Sequence, residues 1–151
     1  MSFDLLFGLA GLYVVPFWIA MAIFPKWKIT KSVMNSYLPF MPLGFLYIYF
    51  FVASFSIESA LTLANPQLAD FTQILSQEGP ASASWVHILF MDLFVGRWMY
   101  WQGQEKNILT THSLILCLFF GPVGLLSHIA TAALFGNKKS DDLDAKDLEE
   151  E

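Results

Sequence analysis

Five ionisable side chains fall inside otherwise apolar runs: Glu58, His87, Asp92, Arg97 and His128. An ionised side chain at the centre of a bilayer costs about 2.5–3.5 kcal/mol on insertion scales, so such residues turn toward protein and mark function. Two carboxyl groups, a guanidinium and two imidazoles are the groups that general acid/base chemistry uses. Glu58 and Asp92 are expected at similar depth, within about one helical turn of each other. Like charges so placed repel, and one of the two is expected to hold a proton. Asp92 and Arg97 stand five apart, about 140° around a helix, so each seeks a partner on another element. Asp92 shares its stripe with Trp85, Gly96 and Met99, and a glycine one turn away lets a neighbour approach closely.

Further along, Gly121-Pro122-Val123-Gly124 interrupts an apolar run. Pro122 leaves the Leu118 carbonyl without its usual donor, and a broken helix at membrane depth is tolerated where it lines protein or a polar cavity. Counting from the Glu105-Lys106 turn sets Asp92 level with Phe119–Gly121. Asp92, the freed carbonyl and Gly121 are therefore expected to form a small polar niche. Plainer readings fit the same residues. Arg97 can snorkel to the interface with Trp98 and Trp101 as belt residues. Asp92 can serve as a structural hydrogen-bond hub, and Glu58, His87 and His128 can be interfacial, as His112 is expected to be. Metal ligation would need His87 and His128 to converge from two helices. No histidines stand four apart, and there is no HExxH or Cys/His cluster.

These residues must be positioned by helices. The chain has 151 residues, 56% hydrophobic, 17% aromatic and only 14% charged, with a mean hydropathy of +0.53. Ordinary soluble domains carry about 25% charged residues. A bilayer core of about 30 Å takes about 20 apolar residues in a helix, and four stretches come near this: Phe3–Phe24, Pro39–Ala64, Trp85–Gln102 and Thr110–Phe135. The expected architecture is all-α, with four transmembrane helices over residues 1–136. Asn65-Pro66 reads as an N-cap and first helical residue. With Leu68, Phe71 and Leu75 at helical spacing, it predicts a short interfacial helix between the second and third spans.

Charge is unevenly placed. Lys+Arg total 8 against 13 Asp+Glu, and seven of the acids fall in the last eleven residues. Residues 137–151 read as a solvated, disordered acidic tail. There is no basic stripe, which excludes nucleic acid as a partner; membrane lipid is the partner the composition demands. Lys26, Lys28 and Lys31 assign the first loop to the cytoplasm or stroma. Lys138 and Lys139 pull the other way if four spans put both termini on one side, and the first loop is given precedence. The lone Cys117 forms no internal disulfide. Met-Ser-Phe-Asp offers no cationic start for a signal peptide, so the first run reads as a permanent helix. With no transit region before it, a bacterial or processed organellar protein is expected.

Trp85-Val86-His87, Asp92-Leu93-Phe94-Val95-Gly96-Arg97-Trp98, Glu105-Lys106-Asn107-Ile108 and Gly121-Pro122-Val123-Gly124-Leu125-Leu126 together resemble the abscisic-acid-deficient-4-like family of small polytopic membrane proteins. The close match runs from Trp85 to about Leu126. Lys106 departs from the arginine the family tends to carry there. The resemblance implies a role with carotenoids, because the plant member is required for making neoxanthin, and a cyanobacterial-type plasma or thylakoid membrane. Neoxanthin forms from violaxanthin by opening an epoxide to an allenic alcohol, without redox change. That step needs an acid at the epoxide oxygen and a base for a vinylic proton, and no cofactor. The resemblance so suggests Asp92 or Glu58 as acid, His87 or the other carboxylate as base, and Arg97 as organiser. Gly96, Trp85, Trp98, Gly121, Pro122 and His128 would line the substrate groove. Two other readings fit: a non-catalytic carotenoid-binding or pigment-assembly factor, and a proton- or ion-handling protein built on Glu58, Asp92 and Arg97, for which four spans would form a homo-oligomer.

Overall fold

The computed structural model describes residues 2–149, and side chains over residues 2–135. The acidic tail expected at 137–151 lies outside the residues whose side chains are described. The described residues form seven α-helices and one 3-10 turn, with no strand among them. They are α1 (Phe3–Ile23), α2 (Lys28–Asn35), the turn Leu38–Phe40, α3 (Met41–Ser54), α4 (Ile57–Ala64), α5 (Leu68–Leu75), α6 (Glu78–Lys106) and α7 (Thr111–Glu149). Two stretches, Phe3–Ile23 and Thr111–Phe135, are long and apolar enough to cross a membrane. Large apolar side chains stay exposed along the helices, among them Leu12 at 70%, Val52 at 66% and Leu126 at 65%. A water-soluble surface rarely shows so continuous an apolar area.

Two compact units divide the chain, Met1–Val15 with Asn35–Met91, and Pro16–Met34 with Asp92–Glu151. Helices α1 and α6 contribute to both. In the first unit aromatic side chains do most of the packing. Phe3 meets Phe50 at 5.3 Å, Phe7 stacks on Trp85 at 5.3 Å, and Phe40 meets Phe90 edge-on at 5.7 Å. Offset and edge-on ring pairs add about 0.5–1.5 kcal/mol beyond their buried area. The Tyr13 hydroxyl donates to the Pro39 carbonyl at 3.0 Å.

The expected second span, Pro39–Ala64, is two helices. Helix α3 ends at Ser54, Phe55 is extended (φ −67°, ψ 128°), and α4 starts afresh at Ile57. Serines account for the break, since their hydroxyls compete for backbone partners. Ser54 donates to the Phe50 carbonyl at 2.7 Å. Ser56 then caps α4 by accepting the Ser59 amide at 3.0 Å. The short helix predicted after Asn65-Pro66 also starts later than expected. Asn65 is the C-cap of α4, its amide reaching Thr62, and Gln67 is the N-cap of α5. Asn65 precedes a proline, a position that disfavours helix. Helix α6 is longer than the expected Trp85–Gln102, with 29 residues or about 43 Å. Pro80 sits in its first turn, where a missing N–H costs nothing.

In the second unit, helix ends are closed by side chains from α6 and α7. Helix C-termini leave carbonyls without intrahelical donors. Tyr100 donates to the Pro25 carbonyl at 2.7 Å and Thr111 to that of Ala22 at 3.1 Å. Met34, near the end of α2, accepts from both Arg97 Nε and Trp101 Nε1. Helix α2 buries Thr30 and Met34, four apart, and exposes Lys28 and Lys31.

The expected fourth span is not straight. Phe120 (φ −140°, ψ 35°) and Gly121 (φ 15°, ψ −82°) leave the helical region, and the chain folds back on itself. Ser113 Oγ lies 3.1 Å from Ser127 Oγ, and His112 Nε2 lies 3.0 Å from Thr131 Oγ1. In one straight helix residues fourteen apart would be separated by about 21 Å. Residues 111–119 and 122–135 are thus the two antiparallel arms of a helical hairpin. Small residues let the arms touch: a Cβ added at Gly124 would stand 2.4 Å from Cys117 Cα. Pro122 opens the second arm, a position that suits its fixed φ and missing N–H.

Candidate functional site

Asp92 lies against the tip of this hairpin. A Cβ on Gly121 would fall 2.6 Å from Asp92 Oδ1, so only glycine lets the carboxyl reach the turn. The Cys117 thiol points to the Asp92 carbonyl at 3.9 Å, a long, weak contact. Asp92 itself is half-buried. Gly121 and Asp92 are therefore one local arrangement, set by α6 on one side and by the break in α7 on the other.

Gly96 is occupied differently from expectation. The Trp18 ring covers it, and a Cβ there would stand 2.6 Å from that ring. An indole, not a neighbouring backbone or a substrate, takes the space. Arg97 gives its Nε to Met34 and so supports the end of α2; a cation at a helix C-terminus also complements the helix dipole. His128 is fully buried. Its Nε2 lies 2.8 Å from Gln102 Oε1, and Trp98 meets its ring edge-on at 5.4 Å. His128 Nδ1 has no hydrogen-bond partner. His128 is thus enclosed by side chains of α6 and α7.

The remaining predicted residues belong to the first unit. Trp85 stacks on Phe7, and its indole N–H is buried without a partner. Glu58 stands exposed on the first turn of α4. With the second run broken, it is not buried inside a long span, and it belongs to a different unit from Asp92. His87 is exposed and its ring lies 5.8 Å from that of Tyr47. Both line a cavity of about 610 Å³ walled by α3, α4, α5 and the start of α6. Sequence reasoning missed this cavity and its hydroxyls Ser54, Ser56, Ser59 and Ser84. The signal was there: three serines crowd six residues of an apolar run. Among the described residues no group of three His, Cys, Asp or Glu side chains could hold a metal ion.

The described residues define a helical protein with two stretches apolar enough to cross a membrane, a fold-back turn at an aspartate and an open cavity beside a histidine; no solved structure matches it. The sequence comparisons are definite. The ABA DEFICIENT 4-like family matches residues 5–128, and this chain belongs to that family. It is 36% identical over 137 residues to Protein ABA DEFICIENT 4, chloroplastic, of Arabidopsis thaliana. The alignment covers 87% of this chain and 62% of that protein.

Proposed function

We propose that the chain is an integral membrane protein that holds a carotenoid and serves neoxanthin-related metabolism. The observation that carries this reading is the 36% identity to the chloroplast protein over 87% of the chain. The exposed apolar helices and the open cavity support it: they suit a long, neutral, apolar ligand. A thylakoid membrane is the corresponding location. The test is the pigment profile of a strain lacking the protein. Loss of neoxanthin or accumulation of its epoxide precursor is expected, and an unchanged profile would sink the carotenoid role.

Epoxide opening within this role rests on Asp92. Its carboxyl stands at the Gly121 turn; from there its proton would pass to the epoxide oxygen as the C–O bond breaks, and its carboxylate would take up the vinylic proton whose loss forms the allene, so the step is proton-neutral. Glu58, exposed on α4, and Arg97, engaged at the end of α2, have no part in the step. Asp92→Asn keeps the shape and removes the acid. It should abolish conversion while pigment still binds, whereas full conversion by this variant would leave the non-catalytic carotenoid-binding reading.

Crossings by α1, α3 and α6, three where the sequence predicts four, go with a hairpin in which Thr111–Phe135, although long and apolar enough in total, is folded in two. Its arms, residues 111–119 and 122–135, reach about 14 Å and 21 Å, short of a core of about 30 Å. The hairpin then enters and leaves by one face. Lys26, Lys28, Lys31 and Lys106 would lie at that face, in keeping with the positive-inside rule. In a Cys117→Ala background, single cysteines at positions 28, 106 and 140 should react with an impermeant maleimide from one side and position 70 from the other. Labelling of 140 together with 70 would restore four crossings.

A further inference from the structure

The cavity of the first unit has a polar edge that nothing in the protein uses. Helix α6 places Ser84 and His87 three residues apart, on one face of the helix, and both line the cavity. Neither side chain has a hydrogen-bond partner among the described residues, although Ser54, Ser56 and Ser59 on the opposite wall are engaged with their own helices. Ser84 is half-buried and His87 exposed at the cavity mouth; on so apolar a wall, an open hydroxyl and imidazole on one helix face fit a ligand that supplies the missing partner.

The rest of the lining states what that ligand must be. Tyr47, Phe51, Phe55, Phe71, Leu63 and Ile74 make the walls apolar, and no Asp, Glu, Lys or Arg lines the cavity. A charged ligand would lose its hydration there without a counter-ion; a neutral one with a hydroxyl would not. The volume of about 610 Å³ equals a cube roughly 8.5 Å on edge, the size for one ring system. A molecule as long as the bilayer core is thick, about 30 Å, would place only its end inside. Phe51, Phe55 and Leu63 are themselves exposed, so the cavity is open and a chain can leave it. The N-terminus of α6 is fitted closely enough to keep this wall in place: a Cβ on Gly79 would stand 2.9 Å from Ser54 Cβ.

We propose that this cavity binds the hydroxylated end ring of a carotenoid, with Ser84 and His87 hydrogen-bonding the ring hydroxyl while the polyene chain runs out between the helices. The assignment rests on the carotenoid role for its ligand class, and on the cavity alone for its location. It assigns recognition of the ring hydroxyl to residues of the first unit that sequence reading alone did not single out together.

The test measures binding of two probes to the purified full chain in detergent: a carotenoid hydroxylated on both rings and its unhydroxylated hydrocarbon parent. The wild type should prefer the hydroxylated probe. Ser84→Ala and His87→Phe should each weaken that probe by about three- to tenfold, the worth of one hydrogen bond, and leave the hydrocarbon unchanged. His87→Gln keeps a donor and an acceptor and should recover most of the loss, which separates hydrogen bonding from a general defect in folding. Equal binding of both probes by the wild type, or an unchanged preference in the Ser84→Ala/His87→Phe double variant, overturns the assignment. If the variants behave as expected but the deletion strain keeps its pigments, the metabolic role falls and the site stands. If the pigments change but the variants keep their preference, the role stands and the site falls.

Discussion

Gly124→Ala offers a decisive test of the folded-back α7, because its sign differs between a hairpin and a straight helix. In an ordinary helix, replacing glycine by alanine stabilises by about 0.5–1 kcal/mol, since glycine loses more backbone freedom on folding. Here the new Cβ would stand 2.3 Å from Cys117 N, 2.4 Å from its Cα and 2.5 Å from its Cβ. Ordinary contact needs about 3.4 Å or more, so the arms must separate by about 1 Å, and backbone atoms cannot rotate aside as a side-chain tip can. Overpacking of this kind costs about 1–3 kcal/mol, which outweighs the propensity gain. Gly8→Ala is the control: nothing lies within 4 Å of a Cβ at Gly8, so it should be neutral or stabilising by about 0.5–1 kcal/mol. Reversible unfolding in mixed micelles reads both. A disulfide reads the geometry directly. Ser113 and Ser127 have their hydroxyl oxygens 3.1 Å apart, so cysteines there should oxidise readily in a Cys117→Ala background. Adding Gly124→Ala should slow that oxidation. A Gly124→Ala protein as stable as the Gly8 variant, with no disulfide between positions 113 and 127, would show that α7 is extended and refute the hairpin.

Three more outcomes follow from the same contacts. Arg97→Ala removes a charged donor from the Met34 carbonyl and should destabilise by about 1.5–3 kcal/mol in the same unfolding assay, while pigment binding by the folded fraction stays as in the wild type. His128→Phe leaves the Gln102 amide without its partner, at a cost of about 1–3 kcal/mol. Adding Gln102→Leu should recover much of that loss, and a double variant no better than the single one would mean that His128 acts otherwise. Glu58→Gln, on the exposed first turn of α4, should change stability by less than about 1 kcal/mol and leave the pigment profile intact; a profile that shifts would return Glu58 to the site.

Much of this protein was readable in one dimension. The apolar run from Phe3 predicts α1 almost to the residue, because after Asp4 about twenty residues carry no charge and leave the backbone no cheaper option than a helix. The level of Asp92 with the Gly-Pro break follows from counting back from the Glu105-Lys106 turn. The family was carried by a few motifs between Trp85 and Leu126, and comparison extends it over residues 5–128. Other features were not readable. Hydropathy counts residues and carries no direction, so Thr110–Phe135 looks the same whether it crosses a membrane or folds back halfway. What decides is contact between arms: Gly124 on Cys117, Ser113 on Ser127 and His112 on Thr131. The break between α3 and α4 was hidden for a related reason. Serines are nearly neutral in an apolar average, yet their hydroxyls redirect the backbone where three of them cluster.

Residue type and spacing by themselves determined that the chain is helical, apolar and built around a few ionisable groups. Which of those groups meet was settled in three dimensions. The contact of Arg97 with the end of α2 and that of His128 with Gln102 are not written in their spacing. His87 reads as a candidate base or an interfacial residue, and only the fold shows that it lines an open cavity with Tyr47 and Ser84. A side chain's chemistry is written in the sequence, but its partner depends on where another segment ends, and only the folded chain brings those two together.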